Sequence, residues 1–359
     1  MNQDQVVSEL LQFMGRGDGS DGAFDEQALR LFAYQFENSA PFRRFCQQRR
    51  RTPRTVRSWR DIPAVPINAF KDLTLSCVAA EAAARVFMTS GTTRGGVRGK
   101  SYHPTLEVYD ASMQRNFGAR FMQGRDRIRI GILFPDSNAM PNSSLAHYLD
   151  LALTHFGADG SCNLYPGGTL DLALAMSHLE EAEASGAPYA LLGASFSFVH
   201  LLDEMGRQGR RFALPPGSRL LDTGGFKGQS RELELDEFYD QLAAGFGVAR
   251  SDCFNMYGMT ELSTQFYDDG NTTCPSVKSG PHWIRTRAVD PLSGIDVPPG
   301  ETGVLVHCDL AHFNIVTAIL TEDAGTIVDG GFVLHGRASG AEAKGCSLAV
   351  EEFLQAAGR

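Results

Sequence analysis

The chain has 359 residues, of which 43% are hydrophobic and 21% are charged, a composition that allows a large buried core and excludes wholesale disorder. Its 42 acidic and 33 basic side chains give a formal net charge of −9, which argues against a dedicated nucleic-acid-binding protein. No apolar run approaches the ~20 residues of a membrane span, the first residues carry no signal-peptide pattern, and seven scattered cysteines are typical of thiols in a reducing cytoplasm.

The amino-terminal part of the chain is predicted to be helical. Apolar residues at helical spacing favour helices over residues 4–14 and 25–47. Eight arginines and no acidic residue lie between Arg43 and Arg60. Such a run indicates either a solvated helix face leading into an extended linker or a site for a phosphate-bearing or acidic partner.

The middle of the chain alternates between predicted strands and helices. Strands are expected over residues 85–88, 127–134, 189–192, 219–223 and 251–257. Helices are expected over residues 106–122, 144–156, 170–184, 196–205 and 232–246. This alternation predicts a largely parallel sheet covered by helices.

The last part of the chain has a different pattern. After about residue 275, short apolar runs are separated by Gly and Asp turns, which predicts an antiparallel β segment with strands over 302–308, 315–320 and 332–334. A final helix is expected over residues 348–357.

Four segments carry residues suited to binding a nucleotide. The first, Phe87–Ser101, combines glycines, hydroxyls and cations in a turn between a predicted strand and a predicted helix, as a polyphosphate requires. A glycine-rich surface loop without a ligand is the alternative. Arg94 occupies the position of the first glycine of a Walker A loop, so the segment does not fit a P-loop NTPase.

The second segment, Asp222–Gly228, places paired glycines at the end of a predicted strand, where a flat ring can approach the backbone or a tight turn can form. The third segment begins at Asn255 and follows another predicted strand. It offers Tyr257 for stacking on a base, Thr260 for a phosphate and Glu261 as a hard oxygen ligand for Mg²⁺.

The fourth segment includes Leu320-Thr321-Glu322-Asp323 and, further on, Gly336-Arg337. A carboxylate such as Asp323 can bind two ribose hydroxyls, and a guanidinium can reach phosphate or ribose. For Arg337, an ordinary surface ion pair is the alternative.

In this order and spacing, the four segments resemble those of the adenylate-forming superfamily of acyl-CoA synthetases, luciferase-type enzymes and peptide-synthetase adenylation domains. The superfamily's phosphate loop is similar to Thr89–Thr93, its Tyr-Gly-x-Thr-Glu motif to Tyr257–Glu261, its ribose aspartate to Asp323 and its Gly-Arg pair to Gly336-Arg337. The resemblance implies the adenylate-forming α/β fold, with mostly parallel sheets covered by helices and a smaller antiparallel segment near the carboxyl terminus. It also implies ATP and Mg²⁺ as cofactors.

The same resemblance assigns roles to individual residues. Glu261 would bind Mg²⁺, and Thr260 would act in catalysis at the α-phosphate. The residues that would bind ATP are Thr89, Ser90, Gly91, Thr92, Thr93, Lys100, Gly224, Gly225, Asn255, Tyr257, Gly258, Thr260, Asp323 and Arg337.

Two segments, DTGGFKGQS (222–230) and GRASGAEAKGCSLAVEE (336–352), are similar to the acyl-protein synthetases of bacterial luminescence systems (LuxE-type). This similarity implies activation of a carboxylic acid, in that family a fatty acid, as an acyl-adenylate. It further implies transfer of the acyl group to Cys346 as a thioester, an acyl-reductase partner and a thioesterase that supplies the acid. Coenzyme A, a carrier protein or an amine is the alternative acceptor, and a nucleotide-binding protein without turnover is a further alternative.

We expect an adenylate-forming core over residues 1–335, with a helical segment over 1–62 and a β-rich segment over 275–335. A short arm over 336–359 is expected in place of the superfamily's mobile carboxyl-terminal domain, which supplies a lysine. Lys100, Lys227 or Lys344 must then supply this cation, or no residue does, and Lys227 is preferred as a catalytic residue because it adjoins the paired glycines.

The arm itself is expected to be mobile, because three glycines lie near Cys346. Lys344 and a helix starting near Ser347 would lower the pKa of the Cys346 thiol. Burial of Cys346 in the closing helix is the alternative. Cys253 is a competing nucleophile by position, but it fits better in the core.

Overall fold

The computed structural model describes residues 1–17, 19–90, 97–226 and 228–357. The chain divides into two compact units. The first unit comprises Met1–Ser112, Met259–Thr264 and Ser279–Arg359, and the second unit comprises Met113–Gly258 and Gln265–Lys278. The expected division into a core over 1–335 and an arm over 336–359 stays a prediction.

The chain begins with three helices: α1 (Gln3–Arg16), α2 (Asp21–Asn38) and α3 (Ala40–Gln48). The sequence predicted a single helix over 25–47, which is wrong at Ser39, where α2 ends. Pro41 is the physical reason, because it lacks the backbone N–H that a continuous helix needs and is tolerated in the first turn of α3.

Short elements follow up to the boundary with the second unit: β1 (Val65–Pro66), α4 (Ala69–Asp72), β2 (Arg85–Met88), β3 (Lys100–His103) and α5 (Glu107–Phe117). Strand β2 has the bounds that the sequence predicts. Strands β2 and β3 form an antiparallel hairpin, so the segment after the glycine-rich turn continues as a strand before the helix predicted from residue 106.

The second unit contains five parallel strands alternating with helices. Its elements are β4 (Arg129–Leu133), α6 (Ser144–Phe156), β5 (Cys162–Asn163), α7 (Leu172–Ser185), β6 (Tyr189–Ala194), α8 (Ser195–Arg207), β7 (Arg219–Thr223), α9 (Leu235–Phe246), β8 (Cys253–Tyr257), β9 (Phe266–Tyr267) and β10 (Val277–Lys278). The sheet order is β5-β4-β6-β7-β8-β9, and only β9 runs antiparallel to its neighbour. The predicted parallel sheet is therefore confirmed.

Helices cover both faces of this sheet. Leu191 and Leu220 belong to a core cluster with residues of α7, α8 and α9. Their neighbours Ala190, Leu192 and Leu221 belong to a second cluster with residues of α6 and with Phe117 at the end of α5. Because both faces are buried, the central residues of β4, β6 and β7 are apolar, as in most parallel strands.

The chain then completes the first unit with four longer strands and a helix: β11 (Ile284–Val289), β12 (Thr302–Asp309), β13 (Ala318–Val328), β14 (Gly331–Arg337) and α10 (Gly340–Ala357). Strands β11 to β14 pair antiparallel in chain order, and β1 pairs parallel with β13. The predicted antiparallel segment is confirmed. The final helix is longer than predicted, because it begins at Gly340 instead of residue 348.

Helix α10 packs on the first unit. Phe353 is fully buried, and its ring lies 4.6 Å from that of Phe45 in α3. Cys346 and Ala349 join an apolar cluster with valines of β11 and β12 and with Leu320. All seven cysteines are free thiols, and none of the helices within the described residues is long and apolar enough to cross a membrane.

Candidate active site

The β2–β3 hairpin carries the predicted phosphate loop. At its neck, the Thr89 amide donates to the Gly99 carbonyl and the Gly99 amide donates to Thr89 Oγ1, both at 3.0 Å. Ser90 is exposed just beyond the neck. Gly91, Thr92, Thr93 and the following residues to Gly96 lie outside the described residues.

The far side of the hairpin differs from the sequence expectation. Lys100 is the first residue of β3, pairs with Met88 and is exposed. Ser101 is buried and its Oγ lies 3.1 Å from His103 Nε2. The Ser101 hydroxyl therefore belongs to the interior of the first unit and not to the phosphate loop, as its alternation with Lys100 along a strand requires.

Glu261 lies directly against the hairpin neck. A Cβ atom placed on Gly99 would be 3.2 Å from Glu261 Oε1 and 3.2 Å from Thr89 Cγ2. The Glu261 side chain is buried, and burial raises the pKa of its carboxyl to about 7. Lys71 and Arg337 act in the opposite direction and lower that pKa, while Asp323 raises it.

The turn that carries Glu261 is fixed by a buried carboxylate, Asp309. Asp309 accepts hydrogen bonds from the amides of Ser263 and Thr264 and from Thr264 Oγ1, at 2.7 to 2.9 Å. Burial raises the pKa of Asp309 to about 6. Asp309 was not predicted from the sequence, because an aspartate at the end of an apolar strand gives no signal of a partner 45 positions earlier.

Asp323 and Arg337 are paired across the antiparallel sheet. They are register partners in β13 and β14. Arg337 Nε lies 3.5 Å from Asp323 Oδ1, and Arg337 Nη1 donates to Glu322 Oε2 at 3.0 Å. The Arg337 side chain is 67% exposed. The ion pair weighed as the alternative for Arg337 is therefore present, and nucleotide binding by Asp323 and Arg337 stays a prediction.

In the second unit, the predicted adenine-binding residues lie at the carboxyl ends of neighbouring strands. Gly224 follows β7 and Tyr257 ends β8, and these two strands pair in parallel through Thr223 and Met256. Gly224 has a φ of +81°, and among the described residues no neighbouring atom lies within 4 Å of a Cβ placed on Gly224 or on Gly225. Open space at the carboxyl ends of parallel strands is where α/β sheets usually bind ligands.

The other second-unit residues are Asn255 and Gly258. Asn255 Nδ2 donates to Asp222 Oδ2 at 3.0 Å, and the same buried carboxylate accepts hydrogen bonds from Ser195 Oγ and Tyr239 OH. Asn255 therefore joins β7 to β8. Gly258 is exposed after β8. The motif Tyr257–Glu261 is divided, since Tyr257 and Gly258 belong to the second unit and Thr260 and Glu261 to the first.

Cys346 does not lie in a loose arm before a helix. It is the seventh residue of α10, is 4% exposed, and its Sγ donates to the Thr321 carbonyl at 3.8 Å. Burial, with the negative charges of Glu322 and Glu342, raises the pKa of the thiol to about 11. The expectation of a lowered pKa is wrong, because the helix begins six residues before Cys346.

Gly345 also has a role other than the one expected. A Cβ at this position would lie 2.6 Å from Pro291 Cγ. The glycine therefore lets α10 approach the segment after β11 closely instead of loosening the chain. Together with the burial of Cys346, this favours the alternative in which Cys346 is packed within the closing helix.

Of the three lysines proposed from the sequence to replace the missing lysine, two are exposed and one is not described. Lys227 lies outside the described residues. Lys100 on β3 and Lys344 on α10 are both exposed. Lys71, on α4, is half-buried, and its Nζ donates to Asn68 Oδ1 at 2.7 Å. Lys71 was not predicted from the sequence, because a four-residue helix gives no periodic signal.

Comparison with solved structures identifies the fold. A 2-hydroxyisobutyryl-CoA ligase in complex with its acyl-AMP matches with a TM-score of 0.65 at 14% identity, over 88% of this chain and 67% of that chain. ATP-bound MatB from Rhodopseudomonas palustris matches with a TM-score of 0.54 at 17% identity, over 72% of this chain and 49% of that chain. The fold is that of the adenylate-forming ligases.

The family follows from the sequence comparison. The chain belongs to the acyl-protein synthetase (LuxE) family, whose model matches residues 14–355, and it is a ligase of that type. It is similar to the long-chain-fatty-acid–luciferin-component ligase of Vibrio harveyi, with 24% identity over 82% of this chain and 77% of that protein. The corresponding ligase of Aliivibrio fischeri is 23% identical over 91% of this chain and 86% of that protein.

Proposed function

We propose that this protein uses ATP to activate a carboxylic acid as an acyl-adenylate and then carries the acyl group as a thioester on Cys346. The match of the acyl-protein synthetase family over residues 14–355 is the single observation that carries this proposal. The relatives named as long-chain-fatty-acid ligases support a long-chain fatty acid as the substrate.

In the first step, an oxygen of the substrate carboxylate attacks the α-phosphorus of ATP. A carboxylate–phosphorus bond forms, the bond to the bridging oxygen of the β-phosphate breaks, and pyrophosphate leaves with the electron pair. Negative charge develops around the α-phosphate, so fixed hydrogen-bond donors and cations are required there. The β2–β3 hairpin, with Ser90 beyond its neck, and the Thr260 hydroxyl would supply donors.

Glu261 is suited to hold Mg²⁺ at this point. Its carboxylate is buried at the neck of the phosphate-loop hairpin, and a buried carboxyl with a pKa raised to about 7 gains from a neighbouring cation. Mg²⁺ is commonly bound by one or two carboxylates together with substrate phosphates. When bound, Mg²⁺ would neutralise phosphate charge, while Glu261 fixes its position.

The remaining predicted residues would position the nucleoside. Gly224 and Gly225 leave open space beside the end of β7, and the ring of Tyr257 lies at the end of the adjacent strand. A flat base fits such a place. Asp323 would accept hydrogen bonds from the ribose hydroxyls, with Arg337 beside it.

In the second step, the Cys346 thiolate attacks the acyl carbonyl carbon. A carbon–sulfur bond forms, the carbon–oxygen bond to the phosphate breaks, and AMP leaves, which is a far better leaving group than hydroxide or oxide. The thiol proton passes to water. Because Cys346 is buried and its pKa is raised to about 11, α10 must shift before the thiolate forms.

The acyl group would then pass to a partner. Family resemblance favours an acyl reductase as the recipient, in a cytoplasmic luminescence-type system, with a thioesterase as the source of the acid. The relatives' names include a luciferin component, which supports a luminescence-type system. Coenzyme A, a carrier protein or an amine is the alternative acceptor, and the arginine run of residues 43–60 would suit a phosphorylated one.

Acid-dependent ATP–pyrophosphate exchange tests the adenylation step. Short, long and aromatic acids are compared in the presence of Mg²⁺, and we expect the fastest exchange with long-chain fatty acids. Exchange that no acid stimulates in folded protein would contradict the proposal and favour a nucleotide-binding protein without turnover. Formation of acyl-coenzyme A without acylated protein would favour the alternative acceptor.

A further inference from the structure

A half-buried lysine on α4 stands beside the proposed adenylation site. We propose that Lys71 is a catalytic residue that places its ammonium group on the phosphates of ATP during attack by the acid. This inference rests on the proposed function and adds a residue that none of the sequence motifs contains.

The position of α4 is fixed by the hairpin neck. A Cβ on Gly99 would lie 3.5 Å from Phe70 Cβ on one side and 3.2 Å from Glu261 Oε1 on the other. Phe70 is buried, and Lys71 is the next residue. The helix that carries Lys71 therefore packs against the same neck as the proposed Mg²⁺ ligand, and the positive charge of Lys71 acts on the Glu261 carboxylate.

A chain of polar contacts links Lys71 to the other end of the site. Lys71 Nζ donates to Asn68 Oδ1 at 2.7 Å, and Asn68 Nδ2 donates to Glu322 Oε1. Glu322 Oε2 accepts a hydrogen bond from Arg337 Nη1 at 3.0 Å, and Arg337 Nε lies 3.5 Å from Asp323. Lys71 is thus connected, through Asn68, Glu322 and Arg337, to Asp323, the carboxylate proposed to bind the ribose.

The charge of this region requires a cation. Glu261, Glu322 and Asp323 bring three carboxylates together, and a triphosphate and a substrate carboxylate would add more negative charge. Arg337 is already used by Glu322 and Asp323 and is 67% exposed. Lys71 is more buried, and a compact ammonium on a flexible stem suits phosphate oxygens that shift during reaction.

The proposed role transfers no proton. The bond between the acid oxygen and the α-phosphorus forms while the bond to pyrophosphate breaks, and Lys71 stays an ammonium group throughout. It stabilises the charge on the phosphate oxygens. Removing one such fixed donor from an active site typically lowers the rate 10²- to 10³-fold.

The test compares Lys71→Met with Arg16→Met, a control at an exposed cation on α1. We expect Lys71→Met to lose about 100-fold or more in acid-dependent exchange, with part of the rate restored to Lys71→Ala by added ethylammonium. Calorimetric titration gives a second readout, in which Lys71→Met weakens binding of ATP but not of AMP. Lys71→Arg and thermal unfolding of every variant separate loss of charge from loss of fold.

The outcomes separate this inference from the proposed function. Wild-type exchange rate and ATP affinity in Lys71→Met would overturn the inference and leave the proposed function intact. Equal weakening of ATP and AMP binding, without ethylammonium rescue, would also overturn it, because that pattern indicates a structural role. If the wild-type protein exchanges with no acid, the proposed function fails, and the ATP-against-AMP comparison still decides whether Lys71 binds phosphate.

Discussion

Glu261 is a buried carboxylate in a turn that is fixed by hydrogen bonds. It is buried, and burial raises the pKa of its carboxyl to about 7. The turn that follows it is held by three hydrogen bonds to Asp309, from Ser263 and Thr264. Holding a buried acid in place at a cost to stability is typical of a functional site.

This raised pKa predicts a pH-dependent contribution to stability. An unfolded glutamate titrates near 4.5, and the folded one near 7, so the folded state binds the proton more tightly. The stability that this group contributes is present below pH 4.5 and is lost as the pH rises through 7. Relative to wild type, Glu261→Gln should therefore gain up to about 3 kcal/mol at pH 8 and little at pH 4.5.

Denaturant unfolding at several pH values measures this effect. The raised pKa of Asp222 and of Asp309 is common to both proteins and cancels in the comparison. Glu37→Gln, at an exposed position of α2, is the control and should leave the profile unchanged. If the difference in free energy of unfolding between wild type and Glu261→Gln is the same at every pH, the pKa of the Glu261 carboxyl is not raised in the folded state.

Gly99 lies in the hairpin neck, directly against Glu261. A methyl group at this position would be 3.2 Å from both Glu261 Oε1 and Thr89 Cγ2, so one of them must move. We expect Gly99→Ala to lower pyrophosphate exchange on the order of 10- to 100-fold, because small displacements at a reacting centre are costly. Gly22→Ala in α2 is the control, because among the described residues no neighbouring atom lies within 4 Å of a Cβ added to Gly22. It should leave the exchange rate unchanged. Exchange by Gly99→Ala at the wild-type rate would argue against a role for the hairpin neck.

Among the individual residues, the sequence identified those that lie within motifs but not those that position the motifs. Thr260, Glu261 and Asp323 were selected because their types and spacing match known motifs, and their roles stay predictions. Asp309 was not selected, because its hydrogen-bond partners Ser263 and Thr264 are distant in the chain. Lys71 was not selected, because a four-residue helix gives no periodic signal. Ser101 was wrongly placed in the phosphate loop, because a glycine-rich turn does not reveal where the following strand begins.

Among the elements, α10 has the most direct bearing on the thioester step. Three contacts hold it to α3: the Phe353 ring on Phe45, the Arg49 guanidinium on both Glu352 oxygens at 3.1 and 2.7 Å, and the Arg44 guanidinium on the Ala357 carbonyl. The arginine run therefore has intramolecular roles. Since Cys346 lies on the buried face of α10 itself, these contacts would control its access to substrate.

Loosening this attachment should expose Cys346. Exposed or partly exposed ion pairs contribute about 0.2–1 kcal/mol. We therefore expect Arg49→Met to increase the rate of Cys346 alkylation by iodoacetamide up to about fivefold, since opening of a local segment follows its stability. Peptide mapping by mass spectrometry separates Cys346 from the other six thiols.

Two variants control for other effects of this substitution. Arg30→Met removes a similar ion pair to Glu9 in a different part of the first unit and should leave the alkylation rate of Cys346 unchanged. The double substitution Arg49→Glu with Glu352→Arg should restore the slower rate. Equal alkylation rates in wild type and Arg49→Met would show that this ion pair does not limit access to Cys346.

The elements were largely predictable, and the errors have physical causes. Strands β2 and β7 and helix α6 have the predicted bounds because apolar periodicity and flanking turn residues agree there. Helix α10 begins eight residues earlier than predicted. Glycines near its start are poor helix formers, but burial of Cys346, Ala349 and Phe353 on one face outweighs that preference.

On the scale of the whole molecule, the fold class was predictable and the division of the chain was not. Strand–helix alternation predicted the parallel sheet of the second unit, and short apolar runs predicted the antiparallel sheet of the first. The return of residues 259–264 and 279–359 to the first unit leaves no local mark in the sequence. Consequently, the division of one short motif between two units became visible only in the structure.

If this ligase activates an acid and then carries the acyl group on Cys346, the protein itself gains mass. Intact-mass analysis after incubation with ATP, Mg²⁺ and a long-chain fatty acid measures this gain. We predict that the wild-type protein gains the mass of one acyl group and that hydroxylamine removes it. Cys346→Ser should show no such gain but should still catalyse pyrophosphate exchange. The control Cys77→Ser should gain the acyl group as the wild type does. A hydroxylamine-labile mass gain of the same size in Cys346→Ser would show that a residue other than Cys346 carries the acyl group.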